Sequence, residues 1–93
     1  MPLYAIIATD RKDAGGLRGE TRPAHLDHLN AIGDRLHAAG PLDDEGGAPM
    51  GSLVIVDMAD RAAAQAFADA DPYAQAGLFA DVRVIAWRRV LPA

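Results

Sequence analysis

The sequence predicts an α+β fold: a ferredoxin-like split βαβ sandwich (βαββαβ) with an antiparallel four-stranded sheet. Three observations carry this. Apolar strand-length runs occur at Leu3–Thr9, Leu53–Val56 and Val82–Val90, helical periodicity fills the gaps between them, and a turn-rich stretch at 41–49 leaves room for a short edge strand. With 93 residues the chain is expected to form one domain, 1–93, with a small core.

Leu3 to Thr9 is a strand by length and content, closed by Asp10-Arg11-Lys12-Asp13. Leu3, Ala5 and Ile7 share one parity and Tyr4, Ile6 and Ala8 the other, so both faces are apolar. Asp13 to Glu20, with Gly15, Gly16 and Gly19, reads as a flexible connection. A helix is then predicted from Pro23, which suits a first turn, to Ala39, with Gly40 and Pro41 as terminators. Its stripe is Leu26, Leu29, Ile32 and Leu36, with His25 at the edge.

Asp43 to Gly47 reads as a turn or short edge strand, and Gly51 to Met58 as a strand. Asp60 is placed to cap a second helix whose apolar face is Ala62, Ala63, Ala66, Phe67 and Ala70. Asp71-Pro72 ends that helix, one loose turn follows, and the last strand closes the chain. Two helices cover one sheet face only. The doubly apolar first strand therefore predicts a homodimer through the other face.

Composition narrows the function. Thirteen acidic against nine basic residues give a net charge of −4, which argues against nucleic-acid binding as the main role. Recognition of RNA by this fold also needs aromatic residues on two central strands, and only Tyr4 is offered. There is no cysteine, hence no disulfide, thiolate nucleophile or cysteine-based metal site. No apolar run reaches membrane-spanning length and the N-terminus has no basic leader, so a cytoplasmic location is expected. Phosphate-loop and dinucleotide fingerprints are absent, and no cofactor is expected. His25 and His28 are spaced to share an ion, but a third ligand is not evident, and no metal is expected; His28 and His37 read as solvated or boundary residues.

His25 lies beside the apolar stripe near a predicted helix start, where the imidazole is kept neutral and able to accept a proton. Asp10 ends the preceding strand, at the same end of the βα unit. A carboxylate there is placed to fix the tautomer of the ring. The plainer alternative has Asp10 capping a turn and His25 packed with its ring hydrogen-bonded. Arg22 is placed to hold a ligand anion or to form a surface ion pair. Ser52 suits a ligand hydrogen bond or a sheet contact, and Tyr73 suits a pocket wall or a dimer brace.

Leu3-Tyr4-Ala5-Ile6-Ile7-Ala8-Thr9-Asp10, Arg22-Pro23-Ala24-His25-Leu26, Ala39-Gly40-Pro41, Gly51-Ser52 and Ala70-Asp71-Pro72-Tyr73, followed by Ala76-Gly77-Leu78-Phe79, together resemble the YciI-like (YCII-related) family over essentially the whole chain. The resemblance implies a ferredoxin-like fold assembled as a dimeric α/β barrel. It implies a histidine–aspartate pair in a pocket, falling on His25 and Asp10. Arg22, Gly40, Pro41, Asp71 and Tyr73 match further family motif positions and are assigned with Ser52 to substrate binding. One relative is a dehydrochlorinase acting on a chlorinated hydroxyhydroquinone, and the wider superfamily includes muconolactone isomerases. The segment from Leu42 to Met50 is short for the family, which implies an altered pocket rim. The leading expectation is a cofactor-independent lyase or isomerase for a small cyclic, enolisable or phenolic compound. The alternatives are a non-catalytic small-ligand-binding or accessory protein using the same pocket, and a purely structural dimerisation module.

Overall fold

A computed structural model describes residues 2–92. Its elements are β1 (Leu3–Asp10), α1 (Leu17–Asn30), a 3-10 turn (Gly33–Arg35), β2 (Leu36–Asp43), β3 (Pro49–Asp57), α2 (Arg61–Ala70), α3 (Pro72–Gln75) and β4 (Phe79–Trp87). The strands form one sheet in the order β2-β3-β1-β4, every neighbouring pair antiparallel. This is the split βαβ topology expected from the sequence. The barrel is not formed. The sheet is open, because β2 and β4 lie at opposite edges and each pairs with one neighbour only. Four strands of eight or nine residues are far fewer than the roughly eight needed to close a filled barrel.

The core lies between the helices and one sheet face. Ile6, Val54, Val56 and Val84 project from the strands and meet Leu29, Met58, Ala64 and Ala68. On α2, Ala64 and Ala68 are buried, whereas the predicted Ala62, Ala66 and Ala70 are exposed. The Asp60 cap forms as expected, its carboxylate accepting the Ala63 N–H at 2.8 Å. On the opposite sheet face Ala5 stands between Ile55 and Ile85 in register. Leu53, Ile85 and Trp87 remain 37–42% exposed there. No helix of the described residues is long and apolar enough to cross a membrane.

The first helix departs from expectation at both ends. It starts at Leu17, not Pro23, and stops at Asn30, not Ala39. Pro23 lies inside it. The chain leaves the helix through Gly33, whose φ of +57° suits glycine. Leu36–Asp43 then runs as an edge strand on β3, carrying Gly40 opposite Leu53 and Pro41 opposite Ser52. Gly40 and Pro41 are therefore strand residues; proline without an N–H is tolerated on an edge. One more glycine is dictated by contact. A Cβ at Gly51 would collide with the Ala8 carbonyl, so the close approach of β3 to β1 beside Ser52 requires glycine.

Candidate active site

Starting α1 at Leu17 puts Arg18, Arg22, His25 and Leu29 on one helical face, and all four line a cavity of about 570 Å³. Gly15, Gly19 and Leu26 complete that wall. Ala39, Gly40 and Pro41 of β2, Pro49 and Ser52 of β3, and Tyr73 of α3 form the others. Of the residues expected at the site, His25, Arg22, Ser52, Gly40, Pro41 and Tyr73 thus share one cavity. Asp71 lies directly behind it.

His25 is buried, and its Nδ1 stands 2.9 Å from both carboxylate oxygens of Asp71. Asp71 is itself buried and also accepts the Tyr73 N–H at 2.9 Å, which caps α3. A carboxylate can only accept here, so Nδ1 carries a proton, and in the neutral imidazole Nε2 keeps the lone pair. Nε2 has no hydrogen-bond partner among the described residues. The imidazole stacks on the Tyr73 ring, with centroids 3.9 Å apart and planes within 17°. Phe79 meets Tyr73 edge-on at 5.9 Å. Ring orientation and tautomer are both held.

The expected pairing of His25 with Asp10 is not formed. Asp10 is gripped by Arg18, with Nε to Oδ2 and Nη2 to Oδ1 both at 2.7 Å. Arg18 Nη2 also donates to Ser52 Oγ at 3.1 Å, and the guanidinium lies 4.7 Å from the Tyr73 ring centroid. The reason is the helix start. With the first turn beginning at Leu17, Arg18 meets the end of β1, while His25 lies two turns on, about 10 Å along the axis. A register shift between Thr9 and Asp10 in the β1–β4 ladder accompanies this placement.

Electrostatics follow these contacts. The hydrogen bond to Asp10, which outweighs the opposing effect of burial, holds the Arg18 guanidinium above its usual range and so always charged. Burial pushes the Tyr73 phenol up, with Arg18 pulling against it, so the ring stays protonated at neutral pH. Arg22 lines the cavity and makes no ion pair among the described residues. His28 is elsewhere. It stacks on Phe67 at 4.2 Å and donates from Nε2 to the Phe67 carbonyl at 3.0 Å, while His37 is exposed. No group of three potential metal ligands occurs among the described residues.

The profile of the YCII-related domain matches residues 2–88. The chain belongs to that family. Among YCII-related proteins, Protein YciI of Escherichia coli O6:H1 is 43% identical, covering 95% of this chain and 98% of that protein. An uncharacterized protein of Haemophilus influenzae is 36% identical over 94% and 97% of the two chains. A solved structure with the same YCII-like fold is 5-chloro-2-hydroxyhydroquinone dehydrochlorinase (TftG) from Burkholderia phenoliruptrix AC1100, in complex with 2,5-dihydroxybenzoquinone. It superposes with a TM-score of 0.87 at 27% identity, covering 94% of each chain. This YCII-related chain is thus similar to an enzyme of cyclic phenolic chemistry, and carries a buried histidine–carboxylate pair suited to acid–base catalysis.

Two features of the site were missed in the sequence. Arg18 was assigned to a flexible connection, and Asp71 to substrate binding rather than to His25. The 18, 22, 25, 29 spacing is a helical stripe and was the available signal for Arg18. For Asp71 no local signal exists, because the pair joins residues 46 apart in sequence.

Proposed function

We propose that this protein is a cofactor-independent lyase or isomerase acting on a small cyclic, enolisable or phenolic compound, with dehydrochlorination of a chlorinated phenol as the model reaction. The observation that supports it best is His25, buried on the cavity wall with Nδ1 committed to Asp71 and Nε2 left basic. In this reading Nε2 takes a proton from an acidic O–H or C–H of the ring, and Asp71 offsets the charge of the resulting imidazolium. The bonding electrons move into the enol system. In an isomerase, Nε2 returns the proton to another ring carbon. In a lyase, a leaving group such as chloride departs with the electron pair of its bond, and the net loss is HX.

Arg22 pairs with the anionic oxygen that develops, and Tyr73 supplies a flat apolar wall. Asp10 acts through Arg18 as a positioning residue, fixing the guanidinium against Ser52 and Tyr73. The substrate and bound ligand of that dehydrochlorinase make hydroxylated chlorobenzenes the first substrates to try. Chloride release from 5-chloro-2-hydroxyhydroquinone should fall about 10²–10⁴-fold in His25→Ala. Undiminished release in that variant refutes the assignment, and tight binding without turnover by the wild type makes the protein a ligand carrier instead.

The protein is also proposed to be a homodimer, with a second copy covering the open sheet face. Support comes from Leu53, Ile85 and Trp87, exposed side by side with the buried Ala5 and Ile55 on strands that pair in register.

A further inference from the structure

Helix α1 runs unbroken from Leu17 to Asn30 with Pro23 inside it. Proline has no N–H, so the Gly19 carbonyl four residues earlier is denied its helical partner. The proline ring also crowds that carbonyl and tilts such groups off the helix axis. Gly19 is exposed and lines the cavity, one turn before Arg22 on α1. Where a Cβ of residue 19 would stand, no atom lies within 4 Å, and the same is true of Gly15 on the same wall and of Gly40 on β2. A ligand ring can therefore approach the backbone here as it cannot beside any other residue type.

We infer that the Gly19 carbonyl accepts a hydrogen bond from a ligand hydroxyl, and that Pro23 keeps it free to do so. The inference rests on the cavity being the ligand site proposed above, and it adds a selectivity. Arg22 donates and cannot distinguish a hydroxyl oxygen from an ether oxygen. A backbone acceptor can, because an O-methylated ring offers it no proton. The ligands selected are rings that carry a protonated hydroxyl beside an acceptor oxygen.

Chlorohydroquinone and its dimethyl ether, titrated calorimetrically under argon into wild type, Pro23→Ala and Gly19→Ala, test this. Pro23→Ala supplies the missing N–H, and alanine is the better helix former, so the fold is retained. Its affinity for chlorohydroquinone should fall about tenfold while that for the ether is unchanged. Gly19→Ala leaves the carbonyl free and fills the approach, so both affinities should fall together. The Gly19 carbonyl carbon should shift in NMR spectra on binding of the phenol to wild type and not to Pro23→Ala. Equal phenol affinities in wild type and Pro23→Ala overturn this inference alone. Failure of wild type to bind chlorohydroquinone removes the reading of the cavity as well.

Discussion

At the scale of single residues the site is a set of commitments that leave few groups free. Asp10 is held by Arg18, and Asp71 by His25 and the Tyr73 N–H. Among the side chains, His25 Nε2, Arg22 and the cavity edge of Tyr73 remain for a ligand. His25, Arg22, Ser52 and Tyr73 were legible as site candidates because each residue type is chemically conspicuous. The choice of carboxylate was not legible. Chain proximity favoured Asp10, but side-chain reach is decided by where the helix begins. Tyr73 allows a check on burial by pH. Its phenol is raised above 10.0 chiefly by burial, so the unfolded chain loses that proton first as pH rises. Its contribution to stability is complete below pH 10 and is lost as pH climbs through the folded value. Melting temperatures between pH 8 and 11 should therefore fall more steeply for wild type than for Tyr73→Phe. Parallel curves would show that the phenol is not buried as described.

Among the elements, the first and third strands and α2 with its Asp60 cap and Asp71-Pro72 stop were read correctly, and the stretch punctuated by Pro23 and Gly40-Pro41 was not. Leu3–Thr9 and Gly51–Met58 each combine β-branched or aromatic content with clear stops, and both strands lie within a residue or two of expectation. The 17–43 region misled because Pro23 resembles a helix start and Gly40-Pro41 a helix stop. The chain instead tolerates proline within α1, exits through Gly33 at positive φ, and pairs 36–43 with β3. Tertiary pairing overrode local punctuation there. In α2 the helix was legible but its phase was not. Six alanines among ten residues present nearly the same surface in every direction, and only packing selects Ala64 and Ala68. The functional consequence lies in α1. Six extra residues at its start bring Arg18 and Gly19 to the cavity wall, and move His25 from the first turn to the middle of the helix.

For the whole molecule, the first strand is apolar on both faces, and the single layer of helices covers one of them. The other face of the open sheet leaves Leu53, Ile85 and Trp87 part-exposed, which is the ground for the proposed dimer. A charge placed among the exposed apolar residues of that face separates the proposed dimer from a stable monomer. Ile85→Lys should sediment as a monomer at concentrations where wild type sediments as a dimer, with its circular dichroism spectrum retained. Wild type sedimenting as a monomer throughout would contradict the dimer.

In the proposed mechanism His25 and Asp71 form the acid–base unit, with Asp10 in a separate supporting role. Chloride release and ligand binding in Asp71→Asn and Asp10→Asn, measured side by side across pH, test it most directly. Asp71→Asn should lower kcat at least about a hundredfold at nearly unchanged affinity, because the ring loses its tautomer and its countercharge. Asp10→Asn should act chiefly on KM by loosening Arg18. A normal kcat in Asp71→Asn, with kcat abolished in Asp10→Asn, would contradict it.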